Sequence, residues 1–258
     1  HIADLRGNRA IIFAMEEPEI AIPPHTQRRI VDKVRDMAAQ SIFTSHSPYV
    51  LDEFPPESLL ILKRENGVLG ATPATLPPAV KSKAYREQLR TRFCECLLAR
   101  RILIVEGRTE YDAVPTAARR LHELNPDRFK TLESLGLAVI NAETDSQIAP
   151  LGGYFKGLGK TVYAIFDQQG PAAAAAIAAA VDQAFESPES SFEKLILNHT
   201  HEAALRRFGK DAVDDGRWPP HLAAETPVDG METSELKSAL GKFFKHNKGA
   251  SEAALLVG

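Results

Sequence analysis

Short continuous apolar runs alternate along this chain with longer stretches whose apolar residues recur at helical spacing. The first pattern marks buried strands and the second amphipathic helices. Ala10–Ala14 is a strand-like run, closed by the acidic turn Met15–Glu19, and Pro23-Pro24 introduces a helix over about His25–Ala39. Ser41–Thr44 is a second short strand ending at Ser45-His46-Ser47-Pro48. Leu59–Leu62 and Gly67–Leu69 form a hairpin around Glu65-Asn66-Gly67, Pro73–Pro78 is a linker, and a long helix follows over about Lys81–Ala99.

From Arg101 onward the alternation becomes regular. Strand Ile102–Val105 leads to helix Thr109–Leu124, strand Leu137–Ile140 to helix Ser146–Phe155, and strand Thr161–Phe166 to an alanine-rich helix over Ala172–Phe185. Strand Leu195–Leu197, helix Thr200–Phe208, an irregular stretch Asp214–Asp229 and a terminal helix Thr233–Lys245 complete the reading. Repeated strand–helix order predicts an α/β fold, a parallel Rossmann-like sheet with helices on both faces. The expected division is 1–78, a connecting helix over 79–100, and a second domain over 101–258.

Two of these runs end in acids. Arg101-Ile-Leu-Ile-Val-Glu106-Gly-Arg-Thr-Glu110 carries one carboxylate at a strand end and another at the start of the next helix, and Ala164-Ile-Phe-Asp167 repeats the first device. Parallel strands deliver such acids to one sheet edge, where open α/β sheets bind their ligands. Clustered carboxylates without thiols suit hard cations such as Mg²⁺ or Mn²⁺. Asp145 and Ser146 follow the strand ending at Ile140 and are expected at the same edge, although both residue types also start helices.

Bulk composition adds little. The chain has 258 residues, 44% hydrophobic and 25% charged, with a formal net charge of −3. That balance belongs to an ordinary globular protein and does not by itself indicate nucleic-acid binding. Between Lys81 and Arg108, however, eight Lys or Arg stand against three Glu, a basic approach to the acidic site or simply a solvated helix face. The only two cysteines, Cys94 and Cys96, are too few for a disulfide framework and poorly spaced for zinc. With no signal peptide and no apolar run long enough to span a bilayer, a cytoplasmic protein without a membrane partner is expected. The opening His1-Ile-Ala-Asp, which runs almost at once into a strand, suggests a fragment of a longer chain.

Glu106-Gly107-Arg108-Thr109-Glu110 resembles the opening motif of the Toprim domain of topoisomerases, primases and related nucleases. That family ends a later strand in D-x-D; here the segment is Asp167-Gln168-Gln169, with an amide at the second acidic position. Ile11-Ile-Phe-Ala-Met-Glu16-Glu17 resembles a Walker B strand and Phe43-Thr-Ser-His46 the switch-histidine segment of ABC-type ATPases. An ABC-like segment followed by a Toprim domain resembles the C-terminal region of OLD (overcoming lysogenization defect) family nucleases. The resemblance implies two-metal cleavage of DNA with Mg²⁺, Mn²⁺ or Ca²⁺, by nicking and cutting, in repair, replication or anti-phage defence. It implies Glu106, Glu110 and Asp167 as catalytic metal ligands, with Gln169, Asp145 and Glu202 as further ligand candidates and Lys248 as a catalytic lysine. Glu16, Glu17 and His46 are the ATPase-like residues.

The chain has no G-x-x-x-x-G-K-[ST] phosphate loop, so ATP is a ligand only if a missing N-terminal half supplies one. DNA, a second copy of the full-length protein and a UvrD-like helicase are the partners the resemblance implies. The competing reading is an ATPase or DNA-binding module whose Toprim domain is regulatory or vestigial.

Overall fold

The computed structural model describes residues 11–81, 90–247 and 252–257. Two compact units divide the chain at Ala99/Arg100.

In the first unit, β1 (Ile12–Glu16) lies parallel to β2 (Gln40–Thr44), with Glu16 opposite Thr44. The connection is α1 (Pro24–Met37), whose first turn carries the proline that suits a helix start. Beyond α2 (Pro48–Leu51), β3 (Leu60–Glu65) and β4 (Val68–Pro73) form the expected hairpin. Its turn residues Asn66 and Gly67 both have positive φ, at 49° and 83°, as a two-residue turn of this hand requires. The unit also contains α3 (Arg90–Leu98), which buries Phe93, Cys94, Cys96 and Leu97. Buried Asp52 ties these pieces together by accepting from Arg28 and from the Thr91 hydroxyl, and it pairs with Arg90. The cysteines are free thiols inside this packing.

The second unit is built on four parallel strands, β5 (Arg101–Val105), β6 (Leu137–Asn141), β7 (Thr161–Phe166) and β8 (Gln183–Glu186), in the spatial order β6-β5-β7-β8. Ile102, Leu103, Ile104 and Val105 are all buried, the continuous apolar run of a central strand covered on both faces. The crossovers are α4 (Arg108–Leu124), α5 (Asp145–Gly157) and α6 (Pro171–Ala180). The path steps outward from β5 to β6 and then returns past β5 to β7. Right-handed crossovers therefore set α4 on one face and α5 with α6 on the other. The two latter helices pack closely: a Cβ at Gly152 of α5 would meet the Ala180 carbonyl oxygen at 2.9 Å.

A helical lobe follows, with α7 (Phe192–His199), α8 (Glu202–Asp214), α9 (Thr233–His246) and α10 (Glu252–Val257). Leu205, Leu236, Leu240 and Phe243 form its fully buried centre, and Trp218 stacks on Phe243 with ring centroids 5.0 Å apart.

Two sequence readings are corrected here. The alanine-rich helix stops at Ala180, and the residues expected to finish it form β8 instead. Leu195–Leu197 is not a strand but part of α7, where the Ser191 hydroxyl caps the helix by accepting from the Lys194 N–H. Such a cap contributes about 0.5–2 kcal/mol. Among the described residues no helix is long and apolar enough to cross a membrane.

Candidate functional site

The order of β-strands reverses between β5 and β7, so the crevice beyond their carboxyl ends is the point where an open α/β sheet binds its ligand. Glu106 and Asp167 are the first residues past those two strands. They meet across the crevice: the Asp167 N–H donates to Glu106 Oε2 at 3.0 Å. The Gln169 side-chain amide donates to the same oxygen at 3.3 Å, and the Gln169 N–H donates to Glu186 at the end of β8 at 2.8 Å.

Glu110 stands one turn into α4, yet only 5% of its surface is exposed. Its carboxyl folds back to accept the N–H groups of Gly107 and of its own residue, capping the helix it belongs to. This explains Gly107, whose hypothetical Cβ would come within 3.0 Å of Glu110 Oε2. Burial pushes the Glu110 carboxyl above its ordinary range, and the Glu193 and Glu106 carboxylates push it the same way, partly offset by the two backbone bonds. Glu193, in the first turn of α7, accepts from the Thr109 hydroxyl at 3.1 Å. Glu110 thus feels the charges of both Glu193 and Glu106, and Glu106 in turn meets the Asp167 backbone across the crevice.

Sequence reasoning missed Glu193 and Glu186, because both sit on elements it misassigned. The signal for Glu193 was present in Ser191-Phe-Glu193-Lys194, a hydroxyl cap followed by an acid in a helical first turn.

The other candidates are distributed differently. Asp145 is exposed at the start of α5, beyond β6 on the same sheet edge, and its carboxylate accepts from the Ser146 N–H at 2.6 Å. Glu202 is engaged in the helical lobe. The Thr233 side chain and Arg206, both within that lobe, hold its carboxyl below the usual range. Lys248 lies outside the described residues. Much of the basic approach is spent internally: Arg90 pairs with Asp52, Arg92 with Glu95 and Arg108 with Asp112, and Arg101 donates to the Leu135 carbonyl. In the first unit, His46 Nε2 lies 3.9 Å from Glu17 Oε1, while Glu16 ends β1 opposite Thr44.

The donor set at the crevice is all oxygen and anionic, and it crowds negative charge around a buried carboxyl. That chemistry fits a hard divalent cation, which would relieve the repulsion. Among the described residues no three acids, histidines or cysteines are yet grouped within coordinating reach. Glu106 and Glu110 are instead held by N–H donors.

Residues 97–168 match the family model described as Overcoming lysogenization defect protein-like, TOPRIM domain. That stretch is similar in sequence to the OLD-like Toprim domain. It runs from the end of α3 through Glu106 and Glu110 to Asp167, and so contains the crevice's two strand-end acids. Among solved structures, the C-terminal region of the Burkholderia pseudomallei OLD protein is similar at 14% identity and a TM-score of 0.41, covering 62% of this chain and 88% of that one. No curated protein sequence matches the chain.

Proposed function

We propose that this chain is a divalent-metal-dependent DNA endonuclease of the OLD type, with the crevice between β5 and β7 as its active site. The observation that carries the proposal is the meeting of Glu106 and Asp167 across that crevice, inside the segment that matches the OLD-like Toprim model. Glu106, Glu110, Asp167 and Glu193 would hold Mg²⁺ or Mn²⁺, with Asp145 reached from the β6 side. Bound there, the ions would stabilise the attacking and leaving oxygens of an in-line phosphodiester displacement.

The protein's own contribution is orientation. The Asp167 N–H and the Gln169 amide fix the Glu106 carboxylate, and the N-terminus of α4 holds Glu110 and adds positive potential to the crevice. Glu17 and His46 at the ends of β1 and β2 belong to an ATPase-like remnant in this reading, and a full-length homodimer, a UvrD-like helicase partner and a cytoplasmic setting go with it.

A second reading is favoured by one observation, the amide of Gln169 where an acid would complete D-x-D. In that reading the Toprim unit binds DNA or regulates without cutting it. Incubating supercoiled plasmid with the chain, with EDTA or with Mg²⁺ or Mn²⁺, separates the two. Nicked and linear products that need metal and vanish in folded Glu106→Ala and Asp167→Ala variants support the nuclease. Intact plasmid in every lane supports the alternative.

A further inference from the structure

Beside the acids lies an open cleft of about 360 Å³ with a different character. Its lining combines the acids Glu110, Asp167 and Glu186 with the apolar Ile165, Phe185, Phe192 and Leu195. Ile165 and Phe185 are register partners on neighbouring strands, which sets their side chains on the same sheet face. Phe185 remains 44% exposed although it is a large aromatic residue. A wall of this kind continuous with a carboxylate crevice suits a ligand with two parts, one anionic and held through a cation, the other flat and apolar-faced.

We infer that this cleft is a nucleobase subsite: Phe185 and its apolar neighbours take the unstacked base of the nucleotide whose phosphate sits at the Glu106–Asp167 crevice. The inference rests on the proposed nuclease reading for the identity of that phosphate. Three features favour this occupant over a protein segment. The volume lies at the small-molecule end of ligand clefts, enough for one nucleoside. The acids in its lining repel a bare phosphate but accept one bridged by a divalent ion. Aromatic and aliphatic side chains offer the sequence-tolerant stacking by which proteins hold single-stranded DNA. A base inside a duplex is not available to such a cleft, so the substrate class is single-stranded, gapped or locally unwound DNA.

The test uses the full chain with Ca²⁺ or Mg²⁺ and two short single-stranded DNA oligonucleotides, one with 2-aminopurine at its centre and one abasic at the same position. Binding is measured by anisotropy of an end label and by 2-aminopurine fluorescence. Phe185→Ala should weaken binding of the base-bearing strand by about 5- to 100-fold, the scale of one base–aromatic stack, and remove the fluorescence change. It should leave abasic binding and the calorimetric metal isotherm unchanged. Phe185→Tyr, which keeps the ring, should restore binding. Equal loss for both strands, or wild-type binding of the base-bearing strand by Phe185→Ala, overturns the subsite. Persistent nicking by Glu106→Ala would overturn the nuclease site alone, because the base-dependent difference in binding is read without cleavage.

Discussion

Gln169 Nε2 lies 3.3 Å from Glu106 Oε2, the oxygen that also accepts the Asp167 N–H at 3.0 Å. Glu106 is therefore oriented by two donors from the chain that leaves β7. An aspartate at position 169 could not supply the second donor. The amide at this position thus has a structural role of its own, holding the Glu106 carboxylate in place.

Gln169→Asp removes a donor and adds a negative charge beside Glu106. Losing a partner at a half-buried charged acceptor costs about 1 kcal/mol or somewhat more. In EDTA the variant should melt about 2–4 °C below wild type. In Mg²⁺ the extra carboxylate should enlarge the metal-induced rise in Tm and lower the Mg²⁺ concentration needed for nicking. Thermal melts across a Mg²⁺ series check both halves; a smaller Mg²⁺-induced rise than wild type would mean the position is tuned for an amide.

Glu110 gives a pH signature. Its carboxyl holds its proton more tightly in the folded protein than the ordinary value of 4.5 allows, chiefly through burial. Such a group stabilises the fold fully below its unfolded value, and that contribution is lost as pH rises through the raised folded value. The contribution of Glu110 to stability should therefore fall as pH climbs from about 4.5 toward neutrality, seen as the difference in Tm from Glu110→Gln. Glu110→Gln keeps the shape and an acceptor for the helix N-terminus without the charge. It should raise Tm at pH 7 in EDTA, flatten this part of the pH profile and abolish metal-dependent nicking. A variant that melts lower than wild type at pH 7 would mean that the charge on the helix cap outweighs burial and carboxylate repulsion.

The first unit should be a bystander in cutting. Glu17 and His46 approach to 3.9 Å, but the chain supplies no phosphate loop to hold a nucleotide against them. Added ATP should leave the nicking rate unchanged, and no phosphate should be released above background. Glu17→Gln should cut at the wild-type rate. ATP-dependent phosphate release by the purified chain is the result that sinks this expectation.

What the sequence disclosed follows the strength of each local signal. Ile102–Val105 and Thr161–Phe166 read as strands from their own apolar runs, and Glu106 and Asp167 follow directly as their strand-end acids. β8 could not be read that way. Gln183–Glu186 has one large apolar residue, lies at the sheet edge and follows eight alanines in a ten-residue helix, so local propensity continues the helix while pairing with β7 decides for a strand. α7 failed for a related reason: its apolar triplet Leu195–Leu197 resembles a strand core, and only the cap at Ser191 shows the helix. Missing those two elements hid Glu186, Glu193 and the apolar cleft.

Glu193 and Glu202 provide the sharpest separation between the sequence and structural accounts of the fourth acid. Glu193 shares a hydrogen bond with Thr109 and its charge acts on buried Glu110, so it belongs to the crevice. Glu202 accepts from Arg206 at the start of α8, with Thr233 beside it, and serves the helical lobe. Glu193→Gln should lower metal-dependent nicking about 10- to 100-fold, the scale for disturbing a group in or next to a metal's ligand set, with the fold intact. Glu202→Gln is an exposed change and should cut normally with little change in Tm. Initial nicking rates at saturating Mg²⁺, measured beside melts of both variants, decide between them. Loss of cutting with Glu202→Gln and wild-type cutting with Glu193→Gln would return the role to Glu202 and would mean that the helical lobe moves when metal binds.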